Sequence, residues 1–489
     1  MTVIWKRLRV RLRDLDRYSV VERAVSNEYA ISRDGATWRL TAQALLALYD
    51  DQTEIIDAAN EREGERAMAA LSGRVICEMA ICVSPLNEGR IYSTADLDYV
   101  LANLSILLEW ASQSDAFHYG LVSRDLIVEP NGTFTFDTSF RDTLHGPYIR
   151  SHGERGFRSA AADYGSAFAV RSGDAKPLKA DYEAAFVAEF GLAPTQLVQL
   201  TYDLADISIK EGKPFFRCRR SDVLGYLKKV GAADAEHAYD AMTLKPRGRW
   251  DEPKPENAQQ RDWYPWRFNR WLSLTRRPIM QLDLTADPAV LIAPALVDRS
   301  AEFFISTYNG RLPGELFDST AMLAWIGKAA DAEGHAFNKT VADAYKAFGF
   351  EAREVNMTEL GGRPEMGDVD AFASDPESGV VYATECKRLL LARTVAEVGE
   401  RLQEYTSIAA KGEDRTPIQK HLDRMTFLRS TLPAISKMTR IPTDKILLRS
   451  ALVTDYLVPM QFSDEALKLI DLVTDLSLLQ SAVMARQPS

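Results

Sequence analysis

Only four cysteines occur in 489 residues, Cys77, Cys82, Cys218 and Cys386, and no two of them stand at CxxC spacing. A disulfide framework and a structural zinc site are therefore not expected, and a reducing compartment fits. Histidine is also scarce, and His118, His145 and His152 follow no metal-ligand spacing. No uninterrupted apolar run reaches the length of a membrane span, and the opening residues lack the apolar core of a signal peptide. These absences predict a cytoplasmic protein with no membrane partner. The Walker A, Gly-x-Gly-x-x-Gly and Gly-x-Ser-x-Gly patterns are missing, so nucleotide hydrolysis and serine-hydrolase chemistry have no anchor. A basic excess is missing too: 59 Lys and Arg face 69 Asp and Glu, for a net charge of −10. Phosphate contacts are thus confined to local basic patches.

What is present is the composition of a globular chain, 46% hydrophobic and 26% charged, long enough for two or three domains. The pattern predicts a mainly helical domain over 1–165, a helical middle region over 166–310 and an α/β domain over 311–489. In the first, Leu40 to Leu107 is helical in pattern, with a helix start at Ser93-Thr94-Ala95-Asp96. Asn131-Gly132 marks a hairpin. Lys6, Arg7, Arg9, Arg11, Arg13 and Arg17 form a basic run suited to a solvated face or a strand edge. This N-terminal region is also where a protein partner would dock.

The middle region carries a helix over Thr195 to Gly212 and two shorter ones, Ser221 to Lys229 and Ala232 to Met242, joined by the basic stretch Arg217, Arg219 and Arg220. Three short helices of this kind suit either a winged-helix-like reader of DNA or a helical protein-interaction module. Lys245 to Gln260 reads as a linker. Beyond it, Trp263, Trp266, Arg267, Arg270, Trp271, Arg276 and Arg277 interleave aromatics with arginines. Such a segment either stacks bases and binds phosphate or docks one domain on another.

The densest signal lies near the C-terminus. Gly367-Asp368-Val369-Asp370-Ala371-Phe372 alternates as a strand, Asp375-Pro376-Glu377-Ser378-Gly379 is rich in turn formers, and Val380 to Lys387 is a second, more apolar strand. Pairing them brings Asp370, Glu385 and Lys387 to one end of a sheet. Carboxylates gathered there have few structural uses besides holding a divalent cation. Phe337, Val341, Tyr345 and Phe348 mark a preceding helix that stops at Gly349, and Phe350 to Val355 reads as a first strand. Thr394 to Glu397 is a capping box for a helix with apolar positions from Val395 to Ile408 and a stop at Gly412, and Lys445 to Tyr456 is a further strand.

This order, with Asp370 fifteen positions before a Glu385-x-Lys387 pair, resembles the PD-(D/E)xK, or restriction-endonuclease-like, nuclease superfamily from about Phe337 to Tyr456. The resemblance implies a mixed α/β fold in which a C-terminal mixed sheet is flanked by helices, preceded by a mainly helical N-terminal region with a few strands. It also implies a Mg²⁺-dependent phosphodiesterase, an endonuclease above all, with Mn²⁺ as a substitute and DNA as the favoured nucleic acid. Asp370, Glu385 and the backbone carbonyl of Cys386 would be metal ligands, with Asp368 as an accessory carboxylate and Lys387 the charged helper. A large accessory region suggests a bacterial restriction or defence setting by analogy. One position departs from the pattern: Asn338 follows Phe337 where many members carry Glu, and an amide coordinates through its carbonyl but brings no charge. Asn338 favours the alternative reading, a catalytically inactive nucleic-acid-binding or assembly protein that keeps the fold. Read singly, Asp-x-Asp is a solvated turn and Glu-x-Lys a surface ion pair of little energetic worth.

Overall fold

The structure is a computed structural model. It describes residues 2–48, 53–123, 125, 127–135, 137–166, 178–248, 271–312, 314–408 and 414–486. In chain order the described elements begin with helices α1 (Thr2–Arg13), α2 (Arg17–Leu48), α3 (Thr53–Val83) and α4 (Thr94–His118). A short hairpin, β1 (Ile127–Val128) and β2 (Phe134–Thr135), precedes α5 (Gly146–Ser166), α6 (Ala180–Phe190) and α7 (Pro194–Glu211). Then come β3 (Phe216–Arg219), α8 (Arg220–Lys229), α9 (Ala235–Met242), β4 (Thr243–Leu244), β5 (Ile279–Gln281), β6 (Ala289–Ile292) and α10 (Pro294–Ile305). The C-terminal part runs α11 (Thr320–Ala347), β7 (Glu351–Asn356), β8 (Asp368–Ser374), β9 (Val380–Lys387), α12 (Val395–Thr406), α13 (Pro417–Ser430) and α14 (Leu432–Thr439). It ends with β10 (Leu447–Thr454), α15 (Asp464–Leu469), β11 (Leu472–Asp475) and α16 (Leu479–Met484). The fold is mixed α/β, and no helix among the described residues is long and apolar enough to cross a membrane.

The chain divides into two compact units, each made of two stretches: Met1–Ala111 with Gly153–Ala329, and Ser112–His152 with Ala330–Ser489. The expected boundaries at 165 and 310 both fall inside the stretch Gly153–Ala329. In the first unit, Leu8, Leu12, Val21 and Ile76 of the N-terminal helices share one apolar cluster with Leu244, Met280, Leu282 and Leu291 around the four-stranded sheet β3-β6-β5-β4. Residues on both sides of the expected boundary at 165 therefore bury the same surface. The basic N-terminal run forms a helix, not a strand edge. Trp5, Leu8 and Leu12 recur at helical spacing and are buried, which leaves Lys6, Arg7 and Arg13 on the solvent side.

In the second unit the segment 112–152 packs Phe140, Leu144 and Tyr148 against Val398, Leu402 and Tyr405 of α12. Gly399 permits this approach, because a Cβ there would lie 2.4 Å from Cγ of Tyr119. A five-stranded sheet, β11-β10-β9-β8-β7, is antiparallel across β7, β8 and β9 and parallel across β9, β10 and β11. Phe337, Val341 and Tyr345 of α11 cover one face with Ala371, Ala373 and Tyr382. Met425 and Leu428 of α13 cover the other with Phe372, Val381 and Ala383. The expected order of helix, three strands, two helices and a strand is present from α11 to β10, with α14 before β10 and α15, β11 and α16 after it as additions. Helix α12 ends at Thr406, and the expected stop at Gly412 lies outside the described residues.

Candidate active site

Strands β8 and β9 pair from Ser374↔Val381 to Ala371↔Thr384, so Asp370 and Glu385 are the next residues on each strand where the ladder ends. Against β7, β8 carries one extra residue between Val369 and Phe372. A bulge of this kind re-aims a side chain and interrupts backbone pairing. Here the Asp370 side chain takes over the ladder bond: its Oδ2 accepts the Cys386 backbone N–H at 2.8 Å. Its Oδ1 accepts Nδ2 of Asn338 from α11 at 3.1 Å.

Glu385 is buried, 8% exposed, and faces two cations. Lys387 Nζ lies 2.8 Å from its Oε1, and Arg424 of α13 pairs with its Oε2. Arg424 also donates through Nη1 to the Asp368 carbonyl at 3.0 Å, which ties α13 to the start of β8. His421, one helical turn before Arg424, places Nδ1 3.9 Å from Glu385 Oε2, and its buried Nε2 has no hydrogen-bond partner among the described residues. Burial pushes His421 down to about 4, so it is neutral near pH 7.

The two carboxyls respond to the site in opposite directions. Asp370 is pushed up to about 6, first by burial and then by the Glu385 charge. For Glu385, burial acts upward, but the Lys387 and Arg424 cations outweigh it and hold the carboxyl below its ordinary value. Lys387 is held above its ordinary value: burial acts downward and the Glu385 carboxylate more than offsets it. Lys387 is therefore a full cation, a point that sequence could not decide.

The other expected site residues fall elsewhere. The Asp368 carboxylate is engaged by Asn356 Nδ2 of β7 at 2.6 Å. Cys386 donates its N–H toward Asp370, and in an extended strand the C=O of the same residue points to the same neighbour, so its carbonyl faces β8. Arg217 lies over the Tyr18 ring at 4.2 Å, Arg219 donates to the Asp287 carbonyl at 3.2 Å, and Arg220 pairs with Glu236. Each is committed within the first unit. Arg276 and Arg277 are buried, 2% and 9% exposed, so neither presents a surface for a nucleic-acid backbone; both were candidates because a basic-aromatic run looks alike on a surface and in a core. Arg267 and Arg270 lie outside the described residues.

Neither Arg424 nor His421 stands out from the motif spacing. The signal was present in α13, where Ile418, His421, Met425 and Leu428 recur at helical spacing as a buried face that Arg424 borders. An arginine beside such a stripe, opposite a buried glutamate, is a side chain seeking a counter-charge.

Among the described residues no group of three or more His, Cys, Asp or Glu side chains is placed to hold a metal ion. A Mg²⁺ site needs fewer protein ligands, because that ion keeps several waters and is commonly held by one or two carboxylates. The donor set fits such an ion: two neighbouring carboxylates, one of them destabilised by burial and by the other's charge, and a backbone carbonyl facing the same gap.

No curated protein and no solved structure matches the chain. A family model described as "Anti-phage protein Upx-like" matches residues 2–475, from the first residue of α1 to the last of β11. With a match that spans both units, the chain belongs to the Upx-like family of anti-phage proteins, a defence family.

Proposed function

We propose that this chain is a divalent-cation-dependent nuclease in phage defence, with Mg²⁺ as its cation, Mn²⁺ as a substitute and DNA cut internally as its favoured substrate. The observation that carries the reading is the Asp370–Glu385–Lys387 group at the ends of two paired strands, where a bulge replaces a ladder bond with a carboxylate. The family description names defence and no reaction, so the chemistry rests on these residues. A bound cation would neutralise phosphate charge and make hydroxide available near neutral pH. Asp370, Glu385 and the Cys386 carbonyl would hold it. Asn338 fixes the rotamer of Asp370, and Arg424 fixes that of Glu385. Lys387, a cation 37% exposed on its side chain, donates hydrogen bonds to an attacking water or to a phosphate oxygen. Two carboxylates facing Lys387 and Arg424 leave the resting site near neutral, so a cation brings a surplus of positive charge that an anionic phosphodiester balances.

The test is cleavage of single- and double-stranded DNA and RNA by the full chain, in Mg²⁺ and in EDTA. Asp370→Ala, Glu385→Ala and Lys387→Ala should each lose activity by about 100-fold or more with an unchanged circular dichroism spectrum, since they remove charge and not core volume. An Asp370→Ala protein that cuts as fast as wild type ends the assignment. A second reading, nucleic-acid binding or assembly without catalysis, is favoured by Asn338, which supplies an amide where a further carboxylate would add charge. On that reading nucleic acid binds equally well in EDTA and no product forms under any divalent cation.

A further inference from the structure

Two adjacent arginines in the first unit are buried, and among the described residues only Arg276 has a carboxylate within ion-pair distance. Arg276 pairs with Glu189 at 2.8 Å, donates to the carbonyls of Ala241 at 3.0 Å and Leu316 at 3.4 Å, and lies over the Phe190 ring at 4.8 Å. The other Glu189 oxygen accepts the N–H groups of Asp318 at 3.1 Å and Ser319 at 2.8 Å, which completes that pair. Among the described residues no carboxylate lies within ion-pair distance of Arg277, and Asp318, Asp240 and Glu189 act on it from farther off. The Arg277 Nη1 donates to the carbonyls of Asp240 at 2.6 Å and Thr243 at 3.2 Å, while its buried Nε has no partner among the described residues. The Asp240 carboxylate that could have served it is taken by Lys245 at 2.8 Å.

A buried charge is tolerated when it is paired, and an unpaired one calls for an explanation. Arg277 lines a cavity of about 670 Å³, within the size range of small-molecule sites. Trp271 forms part of the wall, with the Arg277 guanidinium 3.9 Å from its ring centroid. Lys245, Arg247, Arg276 and Arg277 line the cavity together with Glu189, Asp240 and Asp318. Burial lowers Arg277 to about 10, which still leaves it charged near pH 7.

We infer that this cavity binds a small-molecule oxyanion, a phosphate or carboxylate head on an aromatic or apolar body, with Arg277 as its counter-charge. A guanidinium presents a planar fork that matches the two oxygens of either head, and the Trp271 wall suits a flat body. The inference does not depend on the nuclease reading, because every residue it uses belongs to the first unit.

The experiment is calorimetric titration of the full chain in EDTA with adenosine monophosphate and with benzoate, each beside its uncharged counterpart, adenosine or benzamide. At least one anion should bind saturably, and at least about tenfold more tightly than its uncharged counterpart. Which of the two does so separates a phosphate head from a carboxylate head. Arg277→Gln should weaken that binding at least about tenfold. Lys245→Ala is the second variant: its side chain is 45% exposed, so the fold tolerates its loss, and the released Asp240 carboxylate would then compete with the ligand for Arg277. It should weaken the same anion and decides the matter if Arg277→Gln does not fold. Binding of neither anion, equal binding of charged and uncharged forms, or wild-type affinity in the folded variants would each overturn the inference.

Discussion

Asp370→Asn should make the metal-free protein more stable, the reverse of what loss of a structural carboxylate does. Asp370 is pushed up to about 6 in the fold, against an ordinary unfolded value near 3.9, a shift of about two units. At ~1.4 kcal/mol per unit, its ionised form costs the fold up to ~3 kcal/mol at pH 8. The sign follows from the folded state holding the proton more tightly than the unfolded one. The penalty is full above about pH 6, shrinks as the pH falls toward 4, and is gone below that. Glu385 is shifted down, so its stabilising contribution is present above its ordinary value and is lost as the pH falls below it, in wild type and variant alike. Asparagine keeps the geometry, since its Oδ1 can accept the Cys386 N–H while Asn338 rotates its amide to offer the oxygen. The assay is unfolding in EDTA at pH 8, 6 and 4. For a unit of roughly 200 residues, ~3 kcal/mol corresponds to a rise of roughly 6 to 12 °C in Tm at pH 8, fading by pH 4. Mg²⁺ should then stabilise wild type far more than the variant. If Asp370→Asn is less stable than wild type at pH 8 in EDTA, Asp370 is a structural carboxylate and the cation site is refuted.

Asn338→Asp should add a third carboxylate beside Asp370, lowering metal-free stability by ~1–3 kcal/mol at pH 8 and tightening Mn²⁺ binding in a calorimetric titration. Gly399→Ala should cost ~1–3 kcal/mol in urea unfolding, because its Cβ would lie 2.4 Å from Tyr119 Cγ, close to the backbone end of that side chain where it cannot swing away. Asp96→Asn should cost ~1–3 kcal/mol at pH 7, since the fully buried Asp96 carboxylate accepts from Arg90 and Ser93 and pairs with Arg11. Its folded value is depressed, Arg90 being the largest cause, so that stability is present above the ordinary carboxylate range and the difference should narrow as the pH falls below about 4.

Local rules carried the C-terminal elements well. The hairpin from Asp368 to Lys387 was legible because a two-residue alternation, a turn-forming stretch and an apolar strand agree, and Gly379 adopts the positive φ of 75° that the turn requires. The division of the chain was not legible, for a physical reason. Phe140, Leu144 and Tyr148 have the same apolar character as core residues anywhere, and nothing in their spacing says that their partners are Val398 and Leu402, some 250 positions away. The same ambiguity explains Arg276 and Arg277. Alternating aromatics and arginines describe a nucleic-acid surface and a packed ion pair equally well, and only burial separates them.

At the candidate site, sequence supplied the residue types and the structure supplied their restraint. Asp370, Glu385 and Lys387 could be named from spacing, yet spacing gives no hint that Glu385 meets a second cation from α13 or that Asp370 stands in for a ladder bond. These two facts bear on each other. A buried glutamate paired with one lysine needs little help, but Asp370 brings a second carboxylate near it, and the upward shift of Asp370, caused first by burial and then by the Glu385 charge, records that conflict in part. Arg424 offsets the charge without removing the cause, since it bonds Glu385 and the Asp368 carbonyl while, among the described residues, Asp370 accepts hydrogen bonds from the Cys386 N–H and the Asn338 amide. A fold selected for stability alone would have relieved the conflict by an asparagine at 370. Its persistence beside two cations is expected of a site whose carboxylates are held ready for a partner of higher charge than lysine or arginine.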